Sequence, residues 1–186
     1  MKPTTKNEWK IRSSLGANML EFSAVFAVLI LVIILPLVDL CAIPIRYFFA
    51  NTAVKETIHT LALSTKFSQA QAALSSGSLL QARLNAITGV SLNKADLSLV
   101  ANSAGGSSTF GSPGSVSENW LPDGKDGPYR YKLELTCDLD ISPLFMIASD
   151  SSIPGLSAPF RTKIVESYAW ENLSKDPNTG QFYLNE

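Results

Sequence analysis

Histidine is all but missing from this chain: His59 is the single one in 186 residues. Cysteine occurs twice, and the chain contains no HExxH, CxxC or Walker-type phosphate loop. These gaps remove the function classes that such motifs carry. A lone histidine in a helical stretch reads as packed or solvated, not as a ligand or base. Cys41 falls within the longest apolar run and Cys137 on the apolar side of a strand pattern. Two buried thiols are therefore expected, not a disulfide. Charge is also sparse, at 17% of residues with a formal net charge of −1. Residues 1–16 hold four bases and one acid, so the remainder stands at −4, which gives no basic footprint for nucleic acid. Asp123-Gly124-Lys125-Asp126-Gly127 has the flavour of a calcium loop. It lacks the alternating ligands and the closing glutamate, so it reads as a turn. Asp138 and Asp140 share one strand face and read as solvated. No catalytic group, cofactor or metal site is expected, and the chain reads as non-enzymatic.

What the chain does have is one long apolar run. From Phe22 to Ile45 the only ionisable side chain with a full charge is Asp39. About 20 apolar residues, rising 1.5 Å each, cross a bilayer core. Lys2, Lys6, Lys10 and Arg12 precede the run, whereas only Arg46 and Lys55 follow closely. The positive-inside rule then places the N-terminus in the cytoplasm and the bulk of the chain outside. A secretory signal would have a shorter apolar core and a small-residue cleavage site after it. Here the glycine, Gly16, comes before the run, with Glu21 five residues on and Phe22 beside it.

Two acids in or beside this run require a physical reason, because a charge within a membrane is costly. Glu21 either pairs with a cation on a neighbouring helix or lies hydrated at headgroup depth. Asp39 follows 18 positions later, five α-helical turns or about 27 Å, which places both acids on one face of a regular helix. Two readings stand for Asp39: a subunit-contact stripe shared with Glu21, or a residue reaching the outer interface near Arg46. Pro36 is expected to kink the helix, and Pro44 to mark the exit from the span.

The junction Gly16-Ala17-Asn18-Met19-Leu20-Glu21-Phe22 resembles the processing site of type IV prepilins. That resemblance implies cleavage between Gly16 and Ala17 by a prepilin peptidase. It also implies that Glu21 pairs with the new α-amine of a neighbouring subunit. Glu21-Phe22, the apolar run, Asp39 near its end, Arg46 soon after and the helical stretch Asn51-Thr52-Ala53-Val54-Lys55-Glu56-Thr57-Ile58 together resemble the TadE family. TadE-like proteins are pseudopilins, minor pilin-like components of bacterial tight-adherence (Flp-type) pilus systems. The similarity covers about residues 16–75 and is loose beyond. Leu40-Cys41 follows the acid where the family often has Gly-Arg.

The resemblance implies a single-pass protein of the bacterial inner membrane acting in pilus assembly and surface attachment. Its partners would be the membrane, the prepilin peptidase, other pilin-like subunits and the assembly platform. Glu21, Phe22 and Asp39 would be its subunit-interaction residues. The alternative is an uncleaved, signal-anchored binding module of the cell envelope with an extracytoplasmic domain.

The expected organisation is a basic leader over 1–16, a transmembrane helix over 17–46, extracytoplasmic helices over 47–88 and a small β-rich domain over 89–186. One helix is expected to continue from Tyr47 to about Leu74, with stripes of Val54, Ile58, Leu61 and of Leu63, Phe67, Ala70, Leu74. Ser75-Ser76-Gly77-Ser78 breaks it, and Leu79–Ile87 forms a further helix ended by Gly89. Tyr129 to Ile141 alternates strictly apolar and polar, the clearest strand in the chain. Phe160–Trp170 reads as a second strand with a bulge at Glu166, and Leu97–Ala101 as a weaker third. Residues 102–128 read as a long exposed loop, and 171–186 as a surface turn and loose end. The fold class is α+β, an antiparallel sheet packed on the N-terminal helices as in pilin-like proteins.

Overall fold

The computed structural model describes residue 19 and residues 21–76, 78–125, 127, 129–145, 153–155 and 157–186. The leader 1–16, with Gly16, and Ala17 lie outside the described residues. Helix α1 runs Glu21–Ala62 and is long and apolar enough to cross a membrane. Helices α2 (Phe67–Ser75) and α3 (Ser78–Asn85) follow. Four strands follow among the described residues: β1 (Val90–Ser103), β2 (Gly106–Phe110), β3 (Arg130–Ile141) and β4 (Phe160–Ala169). They form one antiparallel sheet in the order β2-β1-β3-β4. This is the expected α+β architecture, a long N-terminal helix followed by a small antiparallel sheet.

Strand β3 carries the core because its alternation is unbroken. Tyr131, Leu133, Leu135, Cys137, Leu139 and Ile141 are all buried, while the residues between them are partly exposed. The distal half of α1 lies against that face. Ala50, Ala53, Val54, Thr57, Ile58 and Leu61 are buried at helical spacing. Small residues at Ala50 and Ala53 let the helix approach the sheet closely. Phe67 and Ala70 from α2, and Leu80 and Leu84 from α3, close the layer. Each fully buried leucine or phenylalanine is worth about 1.5–3 kcal/mol in transfer from water.

Cys137 sits in this core, and burial pushes its thiol up to about 12. Cys41, in contrast, faces outward from α1, so only one of the two thiols is buried. In detergent micelles at pH 8, a maleimide should modify Cys137 only after the domain is unfolded. Modification of Cys137 in the folded protein, read by peptide mass, would contradict this packing.

Several expectations change in the tertiary structure. The helix expected over 47–74 stops at Ala62 and restarts at Phe67. Neither glycine nor proline causes the break. The two apolar stripes belong to two helices, and the turn at 63–66 lets both face one core. Leu63, assigned to the second stripe, is exposed.

β1 extends well beyond Leu97–Ala101 because β3 supplies a partner along most of its length, with one irregularity at Asn93. The loop expected over 102–128 contains β2, which pairs with β1 through a tight hairpin joining Ser103 to Gly106. That region also buries Val116.

Glu166 sits in regular register opposite Leu135, so no bulge forms there. Its carboxylate faces α1 and lies 3.5 Å from Lys55. The C-terminal segment is docked, not loose: Trp170, Phe182 and Leu184 are buried.

Within α1, Pro36 does perturb the helix. It has no N–H for the Val32 carbonyl, and its ring crowds that turn. The turn just before it, Ile30–Ile34, is a π-helix in which the Leu35 N–H reaches back to the Ile30 carbonyl. One π turn inserts an extra residue and rotates everything beyond it by about 100°. The single face expected to hold both Glu21 and Asp39 is therefore broken. Pro44 lies inside the helix and does not end it.

Candidate functional site

The chemistry of this chain concentrates along α1, in two zones. The first is Glu21–Val38, roughly 27 Å of helix, in which no side chain is buried. Phe22 is exposed and stacks on Phe26 at 6.2 Å between ring centroids. Glu21 is exposed too, and its carboxylate pairs with nothing among the described residues. Val25, Val28, Leu31, Val32 and Ile33 stand equally open. A helix apolar all round and uncovered by its own domain requires lipid or other helices around it.

The second zone begins at Asp39, which is fully buried. Its Oδ1 accepts the backbone N–H of Leu144 at 2.6 Å and that of Phe145 at 3.1 Å. Its Oδ2 has no hydrogen-bond partner among the described residues. Seven residues on, Arg46 Nη1 donates to the Ser142 carbonyl. The Ser142 N–H in turn donates to the Gly89 carbonyl at 2.8 Å.

Asp39, Ile43 and Arg46 occupy one face at i, i+4 and i+7. Together they grip the segment that leaves β3, the return towards β4 and the turn before β1. Two glycines permit this fit. Gly89 has φ +82°, and a Cβ there would lie 2.8 Å from the Arg46 guanidinium carbon. Gly155 has φ +84°, and a Cβ there would lie 2.8 Å from Ile43 Cδ1. A side chain at either position would strain the backbone, and it would displace the Arg46 guanidinium or press on Ile43.

The expected site residues therefore separate. Glu21 and Phe22 stand together on the bare part of α1. Asp39 is turned onto its own domain, and it and Arg46 hold the same connecting segment at different heights. Gly16 and Ala17 fall outside the described residues. From sequence, Arg46 reads as a base flanking the apolar run, part of the family resemblance and a neighbour of Asp39 at the outer interface, not as a clamp on the segment after β3. Ser142, Gly89 and Gly155 were not singled out as contacts of this zone. The i, i+4, i+7 spacing of Asp39, Ile43 and Arg46 was the available signal. Their partners lie from 43 residues away (Gly89) to more than a hundred (Leu144), and that spacing does not identify them.

Other polar groups meet partners within the domain. His59 meets the Tyr168 ring edge-on at 4.7 Å between centroids. Asp123 pairs with Lys175 at 2.9 Å, which holds its carboxyl below the usual range. Asp140 lies 3.6 Å from Arg161, and Asp138 faces Lys163 across the strands. Among the described residues no group of three or more His, Cys, Asp or Glu could hold a metal ion. No family model, curated protein or solved structure matches this chain.

Proposed function

We propose that this chain is a non-enzymatic, pilin-like subunit (a pseudopilin) of a bacterial tight-adherence pilus system. In this reading it is inserted with its N-terminus in the cytoplasm and its folded domain outside the inner membrane. A prepilin peptidase cuts it between Gly16 and Ala17. The anchor then stays on the mature protein and joins other pilin-like subunits at the assembly platform. The folded domain primes or regulates assembly for surface attachment.

One observation carries the reading: α1 begins as a bare apolar helix with one acid, Glu21, unpaired among the described residues, and ends built into an antiparallel sheet domain. The bare half suits lateral association in a membrane. Cleavage after Gly16 would create an α-amine on Ala17, with a reference pKa near 8, that is mostly protonated at neutral pH. That cation is the chemical complement of Glu21 on a neighbouring helix.

The test is intact mass and N-terminal sequencing of the protein from its native host, beside a Gly16→Ala variant and a strain without the prepilin peptidase. A chain starting at Ala17, and uncut in both controls, is the expected result. A chain starting at Met1 with the peptidase present would overturn the processing claim. It would leave an uncleaved, signal-anchored binding module as the account.

A further inference from the structure

We infer that the π turn before Pro36 is a positioning device: it sets the side of the folded domain on which Glu21 and Phe22 meet a neighbouring helix. The inference rests on the reading of α1 as a membrane span that joins other pilin-like subunits.

The π turn joins two regular stretches of α1 that are held differently. Beyond it, Leu35–Ala62 is α-helical and belongs to the domain, with Asp39, Ala50, Ala53 and Thr57 buried along one stripe. Asp39 and Thr57 are 18 positions apart, five full turns, so they lie in line. Before it, residues 21–29 are α-helical and carry no buried side chain. The cause of the turn is local. Pro36 offers no N–H to the Val32 carbonyl, and in hydrocarbon an unpaired carbonyl is costly. A π turn is one way to re-satisfy the backbone groups that a proline frees. Here the Leu35 N–H pairs with the Ile30 carbonyl.

The consequence is a change of direction. Without the π turn, the 18 positions from Glu21 to Asp39 would also be five full turns. Glu21 would then stand in line with the stripe that α1 buries against its own sheet. A neighbouring helix packs at about 8–10 Å between axes. On the side of that stripe, the space beyond the membrane is filled by this chain's own β3 and β4. A second copy of α1 at the same depth in the bilayer, also continuing as helix to Ala62, has no room there.

The π turn takes out one α-helical step of about 100°. Counted back from Asp39, Glu21 is carried out of the stripe towards the side on which Lys55 meets Glu166 of β4. It is carried away from the side on which Glu56 meets Arg83 of α3. Phe22 stands about 100° further round, on the side of the helix opposite the domain. The acid and the aromatic ring are thus turned towards the flank and back of α1, where a neighbouring helix finds space.

The experiment uses the full chain in liposomes of phosphatidylethanolamine and phosphatidylglycerol, with Cys41→Ala and with unlabelled chain in excess. A nitroxide at Val28, two turns along from Glu21 on the same side, is paired with a second at Arg161 on β4 or at Ser91 on β1; all three positions are exposed. Pro36→Ala gives residue 36 an N–H for the Val32 carbonyl, and the π turn is expected to close into α-helix. A side chain about 5 Å from the helix axis then swings by about 8 Å. The distance from position 28 to position 161 should lengthen, and that to position 91 should shorten. Removing Ile33 in the Pro36→Ala chain takes out the extra residue, and both distances should return to those of the parent. Unchanged distances in Pro36→Ala overturn the inference. The contact itself is read by a photo-crosslinker at Phe22 in the native host. Its adduct with a neighbouring chain should fall several-fold in Pro36→Ala and recover when Ile33 is also removed. A fall without recovery, although the distances recover, assigns Pro36 to stability and overturns the positioning role. An adduct that Pro36→Ala leaves unchanged overturns this inference alone, whereas no adduct in the parent chain overturns the subunit reading and this inference together.

Discussion

Replacing Asp39 with alanine should loosen the segment after β3 from α1 and weaken the folded chain in detergent micelles. Two backbone N–H groups, those of Leu144 and Phe145, lose their acceptor together. A buried donor left without a partner costs about 1–3 kcal/mol. Micellar water reaching the freed groups would place the loss at the low end of that range. Asparagine at the same position keeps a side-chain carbonyl oxygen as acceptor and should lose about 1 kcal/mol or less. The measurement is unfolding in mixed micelles together with hydrogen exchange at Leu144 and Phe145. Equal and negligible effects of both substitutions, with exchange unchanged, would show that Asp39 does not hold this segment. The contrast matters because α1 and the domain could then move as one body only through the distal packing of Ala50 to Leu61.

The C-terminal segment should matter as much to stability, although its composition suggests a tail. Leu184 is fully buried and Phe182 nearly so. Trimming Leu184 to alanine should lower unfolding free energy by roughly 2–5 kcal/mol, the range for losing a buried leucine without full collapse of the site. Polar contacts dock the same segment onto the start of α2. Lys66 Nζ lies 2.8 Å from Asp176 and 2.6 Å from Glu186, and Ser68 N–H donates to the Glu186 carbonyl at 2.8 Å.

The hydrogen bond from Lys66 holds the Asp176 carboxyl below its ordinary range, with the Asn178 N–H adding to it. The lysine is correspondingly held above its own. A depressed carboxyl stabilises the fold above its unfolded value, near 3.9, and that contribution is lost as pH falls through the lower folded value. The raised lysine acts in the opposite sense: its contribution is complete below about 10.4 and is lost only as pH rises through the folded value. Stability contributed by this cluster should therefore be flat through neutral pH and fall in acid. Lys66→Gln should flatten the acid limb, as read by urea unfolding across pH. An acid limb identical to wild type in that variant would remove the cluster as its source.

What the sequence by itself determined was what depends on neighbours along the chain. The apolar run from Phe22 needs no partner to be recognised, because length and hydropathy alone meet the requirement of a bilayer. The alternation from Tyr131 to Ile141 identifies β3 and its buried face, since period two has one structural meaning over that length. Gly89 reads as the residue that ends the helix before it; α3 in fact stops at Asn85, and the positive φ of Gly89 serves the turn into β1. Tertiary structure decided the rest. β1 reaches Val90 because β3 is there to pair with it, not because Val90–Asp96 alternates well. β2 emerges from a serine- and glycine-rich stretch only because β1 offers an open edge. The helix breaks after Ala62 because two apolar stripes must face one core. Asp39 is the sharpest case. Sequence placed an acid in an apolar helix and left its partner open, and the partner is a pair of amides more than a hundred residues away. Local propensity carries no information about such a contact; only the folding of the sheet domain back along α1 creates it.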